Sequence, residues 1–149
     1  MSRPGRPVAA TKAASPQEVE VRVAASSDAA ATVRTVAADL AARAEFTLDA
    51  VADLRLAVDE ACATLLATAR PGTRLTCTFS LDEERITITA TVSTTGPTSL
   101  PTDTFGWRVL RTLSDDLRVL GEAPRTPGDP HRLALRMSVK RTGSPVRCP

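Results

Sequence analysis

Residues 48–69, LDAVADLRLAVDEACATLLATA, constrain the fold more than any other stretch. Val51, Leu54, Val58, Ala61, Cys62 and Leu65 return at steps of three and four, which places them along one side of an α-helix. A helix with a single apolar stripe has to lay it on something, so the rest of the chain must supply the surface that receives it. Thr47 or Asp49 can accept a hydrogen bond from the first free amides, and Asp49 and Asp53 stand near the positive end of the helix dipole. Arg70-Pro71-Gly72 ends the helix, because proline disfavours helical backbone before it and glycine tolerates positive φ.

The flanking segments read as that surface. In residues 17–25, QEVEVRVAA, Val19, Val21 and Val23 alternate with charged side chains, the pattern of a half-buried strand. Ser26, Ser27 and Asp28 offer a cap to a second helix, AAATVRTVAADLAARAE, with Val33, Val36, Ala37 and Leu40 on one side. Phe46 and Thr47 link it to the central helix. Residues 73–81 alternate Leu75, Cys77, Phe79 and Leu81 with polar residues, and residues 85–93 do the same with Ile86, Ile88, Ala90 and Val92. The short Asp82-Glu83-Glu84 turn makes these two an antiparallel hairpin. A threonine- and proline-rich loop over 94–104 leads to a third helix, FGWRVLRTLSD, in which Trp107, Leu110 and Leu113 share a side. A short strand over 116–120, a loop over 121–130 and a strand over 132–140 with Leu133, Leu135, Met137 and Val139 close the order. Each long strand has one apolar face, so helices cover one side of the sheet and water the other. The expectation is a two-layer α/β (α+β) sandwich with a mostly antiparallel, mixed sheet.

Charge and composition narrow the function. The net charge is +2, but residues 1–16 carry +3 and residues 125–149 carry +5, which leaves −6 on residues 17–124. An acidic body argues against a phosphate-binding face and so against nucleic acid as the partner. The folded domain is expected over 17–141, with a disordered basic tail at 1–16 and a flexible one at 142–149. No apolar run is long enough for a signal segment or a membrane span, which points to the cytoplasm. Cys62, Cys77 and Cys148 are far apart and form no CxxC pair, so neither a disulfide framework nor a zinc site is indicated, and the first two read as small buried hydrophobes. Trp107 reads as a core anchor, His131 as a loop-edge residue and not a phospho-acceptor, and Arg55 with Asp59 as an ordinary ion pair along one helix. No GxGxxG, no GxxxxGK[ST] and no internal repeat is present. Glu60 and Thr64 project from neighbouring turns of one helix face.

Around that pair, LRLAVDEACATLL resembles the first nucleotide-binding box of the GHKL, or Bergerat-fold, ATPases, in particular the anti-sigma factor and serine kinase group of the RsbW and SpoIIAB type. Together with FTLDAVADLRLAVDEAC, the later FGWRVLRTLSDDL is similar to the actinobacterial anti-sigma-F factors of the UsfX type. The resemblance covers roughly residues 17–141. It implies roles position by position. In kinase members a Glu acts as base and an Asn four residues on holds Mg²⁺; here Glu60 matches and Thr64 replaces the Asn. The adenine box has Asp two residues before Gly; Gly96 matches and Thr94 replaces the Asp. Two glycines border the phosphates; Gly106 remains and Thr104 replaces the first.

A hydrogen bond to a charged group is worth about 1.5–3 kcal/mol against about 0.5–1.5 for a neutral pair, so the loss of charge at Thr94 weakens adenine binding about tenfold. A threonine hydroxyl is a poor Mg²⁺ ligand beside an amide oxygen, and a triphosphate approaches less closely without the first glycine. The resemblance therefore implies weak ATP or ADP binding and a poor hold on Mg²⁺. Besides a nucleotide-sensing module with no transfer chemistry, which lies between them, two readings stay open. One is an anti-sigma factor that sequesters an alternative sigma factor of the sigma-F or sigma-B-like class until an anti-anti-sigma factor of STAS type competes for it, the protein being a homodimer. The other is an active serine kinase that phosphorylates that antagonist.

Overall fold

The computed structural model describes residues 17–142. The expected tail at 1–16, the last seven residues and Cys148 lie outside the described residues. In chain order the elements are β1 (Gln17–Ala24), α1 (Ala29–Arg43), α2 (Leu48–Leu66), β2 (Arg74–Leu81), β3 (Arg85–Thr94), α3 (Phe105–Leu113), β4 (Asp116–Glu122) and β5 (His131–Lys140). They form one five-stranded sheet in the order β1-β2-β3-β5-β4, and every pairing is antiparallel. The helices pack on one face, and a single core joins them to it.

The period-two pattern of the strands sets this layering. Leu75, Cys77, Phe79 and Leu81 of β2, Ile86, Ile88, Ala90 and Val92 of β3, and Leu133, Leu135, Met137 and Val139 of β5 are all buried. Between them Thr76, Thr78, Thr87, Thr89 and Thr91 stay partly open on the far face. Against the covered face α2 lays Leu54, Val58, Ala61, Cys62 and Leu65. Val51 is only half-buried, and Ala50 and Ala57 lie inside instead. The reason is the neighbouring helix: α1 packs alongside α2, and alanines at 37, 41, 50 and 57, all fully buried, let the two backbones come close. Full burial of a side chain such as Leu54 or Phe79 stabilises the fold by about 1.5–3 kcal/mol.

The termini of the elements depart from the sequence expectations in instructive ways. Thr47 caps α2, its hydroxyl oxygen accepting from Ala50 N at 3.1 Å. Asp28 precedes α1 but makes no capping bond, because its backbone is already helical (φ −81°, ψ −11°) and not in the extended conformation a capping residue takes. Ala29 N donates to the Ser26 carbonyl at 3.0 Å instead. The central helix stops at Leu66 and not at Ala69, since the chain turns early enough for Arg70 N to donate to the Ser93 carbonyl at 2.7 Å. Gly72, at φ +81°, then reverses it into β2. Asp53, placed by its sequence position at the helix dipole, is fully buried among the apolar residues of α2. Strand β3 runs on to Thr94, which pairs with His131, so the first residue of the expected loop belongs to the sheet.

Between β2 and β3 the Asp82 carboxylate accepts from Glu84 N at 2.8 Å and Arg85 N at 2.9 Å. These two backbone bonds hold its carboxyl below the usual carboxylate range.

Candidate functional site

Glu60 lies two-thirds of the way along α2, on the side that meets α3. The helices touch where α3 begins. A Cβ built on Gly106 would stand 2.9 Å from Glu60 Cδ and nearer still to its Oε2, so only a residue without a side chain lets this carboxylate lie against the first turn of α3. The positive end of a helix dipole favours a negative charge there. The structure thus joins Glu60 and Gly106, forty-six positions apart in sequence. Thr64 sits one turn further along α2, half-buried. Among the described residues no group of three or more His, Cys, Asp or Glu side chains is placed to hold a metal ion.

Thr104 sits at the start of the same helix in a second role. Its side chain caps α3, the hydroxyl oxygen accepting from Trp107 N at 3.1 Å. One amide that a bare helix N-terminus would present to an anion is therefore already satisfied. With Glu60 beside it, the first turn of α3 holds both a capping oxygen and a carboxylate from within the protein.

Thr94 closes β3 and is almost wholly buried, 2% exposed. Its hydroxyl donates to the Gly96 carbonyl at 2.8 Å, and the hydroxyl of Thr98 donates to the same oxygen at 2.8 Å. The Thr94 side chain is turned into its own loop. Beside Gly96 the space is open: a Cβ there would meet nothing within 4 Å. Gly96 is therefore not demanded by packing inside the chain.

Other charged and sulfur groups resolve differently from the sequence reading. Asp59 does not pair with Arg55 along α2; Arg34 of α1 reaches it through Nη1, at 2.8 and 3.0 Å from its two oxygens. The cross-helix geometry offers both carboxylate oxygens to one guanidinium nitrogen, which the i, i+4 neighbour does not match. Cys62 of α2 and Cys77 of β2 are both buried, and their side chains meet in the core. The Cys77 thiol donates to its neighbour and is pushed up by that bond and by burial. Thr98 and the capping role of Thr104 escaped sequence reasoning; for Thr104 the sequence carried a signal, a threonine just before an apolar-periodic run.

A five-stranded antiparallel sheet with helices on one face, and with Glu60 on the central helix set against the start of the next, defines a histidine kinase-like ATPase domain. Residues 23–138 match that family, and the chain belongs to it. Within the family the likeness is to anti-sigma factors. Over 119 residues the chain is 31% identical to the anti-sigma-F factor RsbW of Mycobacterium tuberculosis strain CDC 1551 / Oshkosh, covering 78% of this chain and 71% of that protein. The same values hold for RsbW of strain ATCC 25618 / H37Rv. The chain is thus a member of the anti-sigma factor group of the GHKL superfamily. Among the described residues no helix is long and apolar enough to cross a membrane.

Proposed function

We propose that this protein binds and sequesters an alternative RNA polymerase sigma factor of the sigma-F or sigma-B-like class in the cytoplasm. An anti-anti-sigma factor of STAS type frees the sigma factor by competing for the same protein, which is linked binding and needs no chemistry. The folded body covers surface that the sigma factor uses to reach polymerase, and two copies of the chain act together. ATP or ADP binds weakly, and Mg²⁺ is poorly held by the Glu60 carboxylate and the Thr64 hydroxyl.

The observation that carries this reading is the state of Thr94. A carboxylate there would accept a hydrogen bond from a purine amine; the buried threonine instead spends its hydroxyl on the Gly96 carbonyl of its own loop. The likeness to two anti-sigma-F factors supports the sigma-factor partner. One specific observation favours the kinase alternative: Glu60 and Gly106 are both retained and in contact. Under that alternative Glu60 is the general base.

The two separate in one pair of assays. Incubation with labelled ATP, Mg²⁺ and candidate antagonists is expected to leave no phosphoserine, and brisk transfer would overturn the proposal. A pull-down against candidate sigma factors is expected to capture one at a stoichiometric level, and E60Q is expected to capture it equally well.

A further inference from the structure

The face of the sheet turned away from the helices gathers positive charge that the chain keeps apart in sequence. The balance of −6 over residues 17–124 leaves out β5, and β5 belongs to the folded sheet. Alternate residues of a strand share a side, so Arg136 and Lys140 of β5 come to the open face together with Arg118 of β4 and Arg85 of β3. Two pairs of like charge stand directly opposite each other there, Arg118 with Arg136 and Arg85 with Lys140. Such pairs are unfavourable in an empty sheet. Between them lies Ser138, two residues from Arg136 and two from Lys140, with Thr87 opposite on β3 and Asp116 opposite on β4. It is 4% exposed, and its hydroxyl has no hydrogen-bond partner among the described residues. A buried polar group left unpaired is unfavourable too. Two local penalties thus coincide at one point of the sheet, and an anion relieves both.

The donors suit an oxyanion. Arg118 stands 3.4 Å from Asp116 through Nε, and Arg136 donates from Nε to the Thr89 hydroxyl at 3.3 Å. The terminal nitrogens of both guanidiniums make no hydrogen bond among the described residues. A guanidinium fork matches a group with several acceptor oxygens, and two forks on neighbouring strands can share one such group.

We propose that this patch binds a single phosphate-class oxyanion, either free phosphate or the phosphoryl group of a phosphoserine. Arg118 and Arg136 hold it by their forks, Ser138 supplies a neutral donor, and Arg85 and Lys140 add charge. Two acids stand nearby. Asp115 spends a carboxylate oxygen on Lys140 N at 2.7 Å, whereas Asp116 lies beside Arg118 and competes with the incoming anion. A nucleic-acid backbone fits less well, because it needs a continuous track of cations. Here Glu20 ends the row that contains Arg136, and Glu122 already holds Arg132 at 3.6 Å. The proposal goes beyond the sigma-factor reading and uses neither Glu60 nor Thr94, so each can fail without the other.

Titration of the isotope-labelled full chain with inorganic phosphate at constant ionic strength, followed through the backbone amide resonances, tests it. Saturable shifts are expected in β4 and β5 around Arg118, Arg136 and Ser138. R118Q and R136Q are each expected to lower the affinity about tenfold, and D116N to raise it by removing the competing acid. In phosphate-free buffer R118Q is expected to melt no lower than the unaltered protein, since it relieves the opposition to Arg136, so its loss of binding is not a loss of fold. O-phosphoserine titrated alongside separates the sources: tighter binding than phosphate marks a phosphoryl group carried by a protein, and equal or weaker binding marks the free ion. Three outcomes overturn the proposal: chloride that moves the same amides equally, phosphate binding that R118Q and R136Q leave intact, or a DNA duplex that occupies the patch far more tightly than phosphate.

Discussion

At the scale of single residues, the hydrogen bonds that the threonines make have physical consequences that can be measured. Thr94 donates its hydroxyl to a carbonyl in a nearly sealed position, and aspartate cannot donate. T94D therefore sets a carboxylate against the Gly96 oxygen, with an expected loss of about 1–3 kcal/mol of stability. Under the proposed reading it also raises affinity for ADP about tenfold, because the purine supplies the missing donor. Thermal melts with and without ADP read both effects, and an unchanged ADP response would show that Thr94 is not the altered adenine contact. The buried cysteines make a second case. Cys62 and Cys77 lie within the core, and Cys77 is held as the thiol. A thiol reagent is expected to leave both unmodified in the native protein and to titrate them once denaturant opens it. The residues carrying the family resemblance could be read directly, since identity at a given spacing is a local property. Their contacts could not: nothing in the sequence around Glu60 says that its carboxylate rests on Gly106.

For the elements, caps and turns set the boundaries. T47A removes the acceptor for Ala50 N and T104A the acceptor for Trp107 N, so each is expected to cost about 1 kcal/mol in a denaturant titration. D28A is expected to stay within about 0.5 kcal/mol of the unaltered protein, because Asp28 makes no such bond. That contrast was not available from sequence, where Asp28 and Thr47 look equally able to cap; backbone torsions imposed by the turn at Ser26 separate them. The β2-β3 hairpin gives a pH dependence. Asp82 has a lower pKa folded than unfolded, so its contribution is complete above the ordinary carboxylate value and is lost as pH falls through the depressed one. Urea midpoints are therefore expected to fall with acid more steeply for the unaltered protein than for D82N, whose amide does not titrate.

Taken whole, the molecule is a layer of helices on a sheet, and its stability resides in the contact between them. F79A empties a fully buried site on the central part of that contact and is expected to cost about 3–5 kcal/mol. Changes of Thr89 or Thr91, on the open face, should cost far less. The kinds, order and approximate limits of the elements followed from the sequence alone, because helix and strand periods arise from backbone geometry within a few residues, and so did the one-sided layering, because alternation along each strand dictates it. Tertiary structure alone decided that β5 enters between β3 and β4, that Asp53 is buried, that Asp59 takes Arg34 and not Arg55, and that Glu60 meets α3. Those outcomes depend on which distant segments come together, and a pairing between residues 85 and 140 leaves no periodic trace in the chain between them.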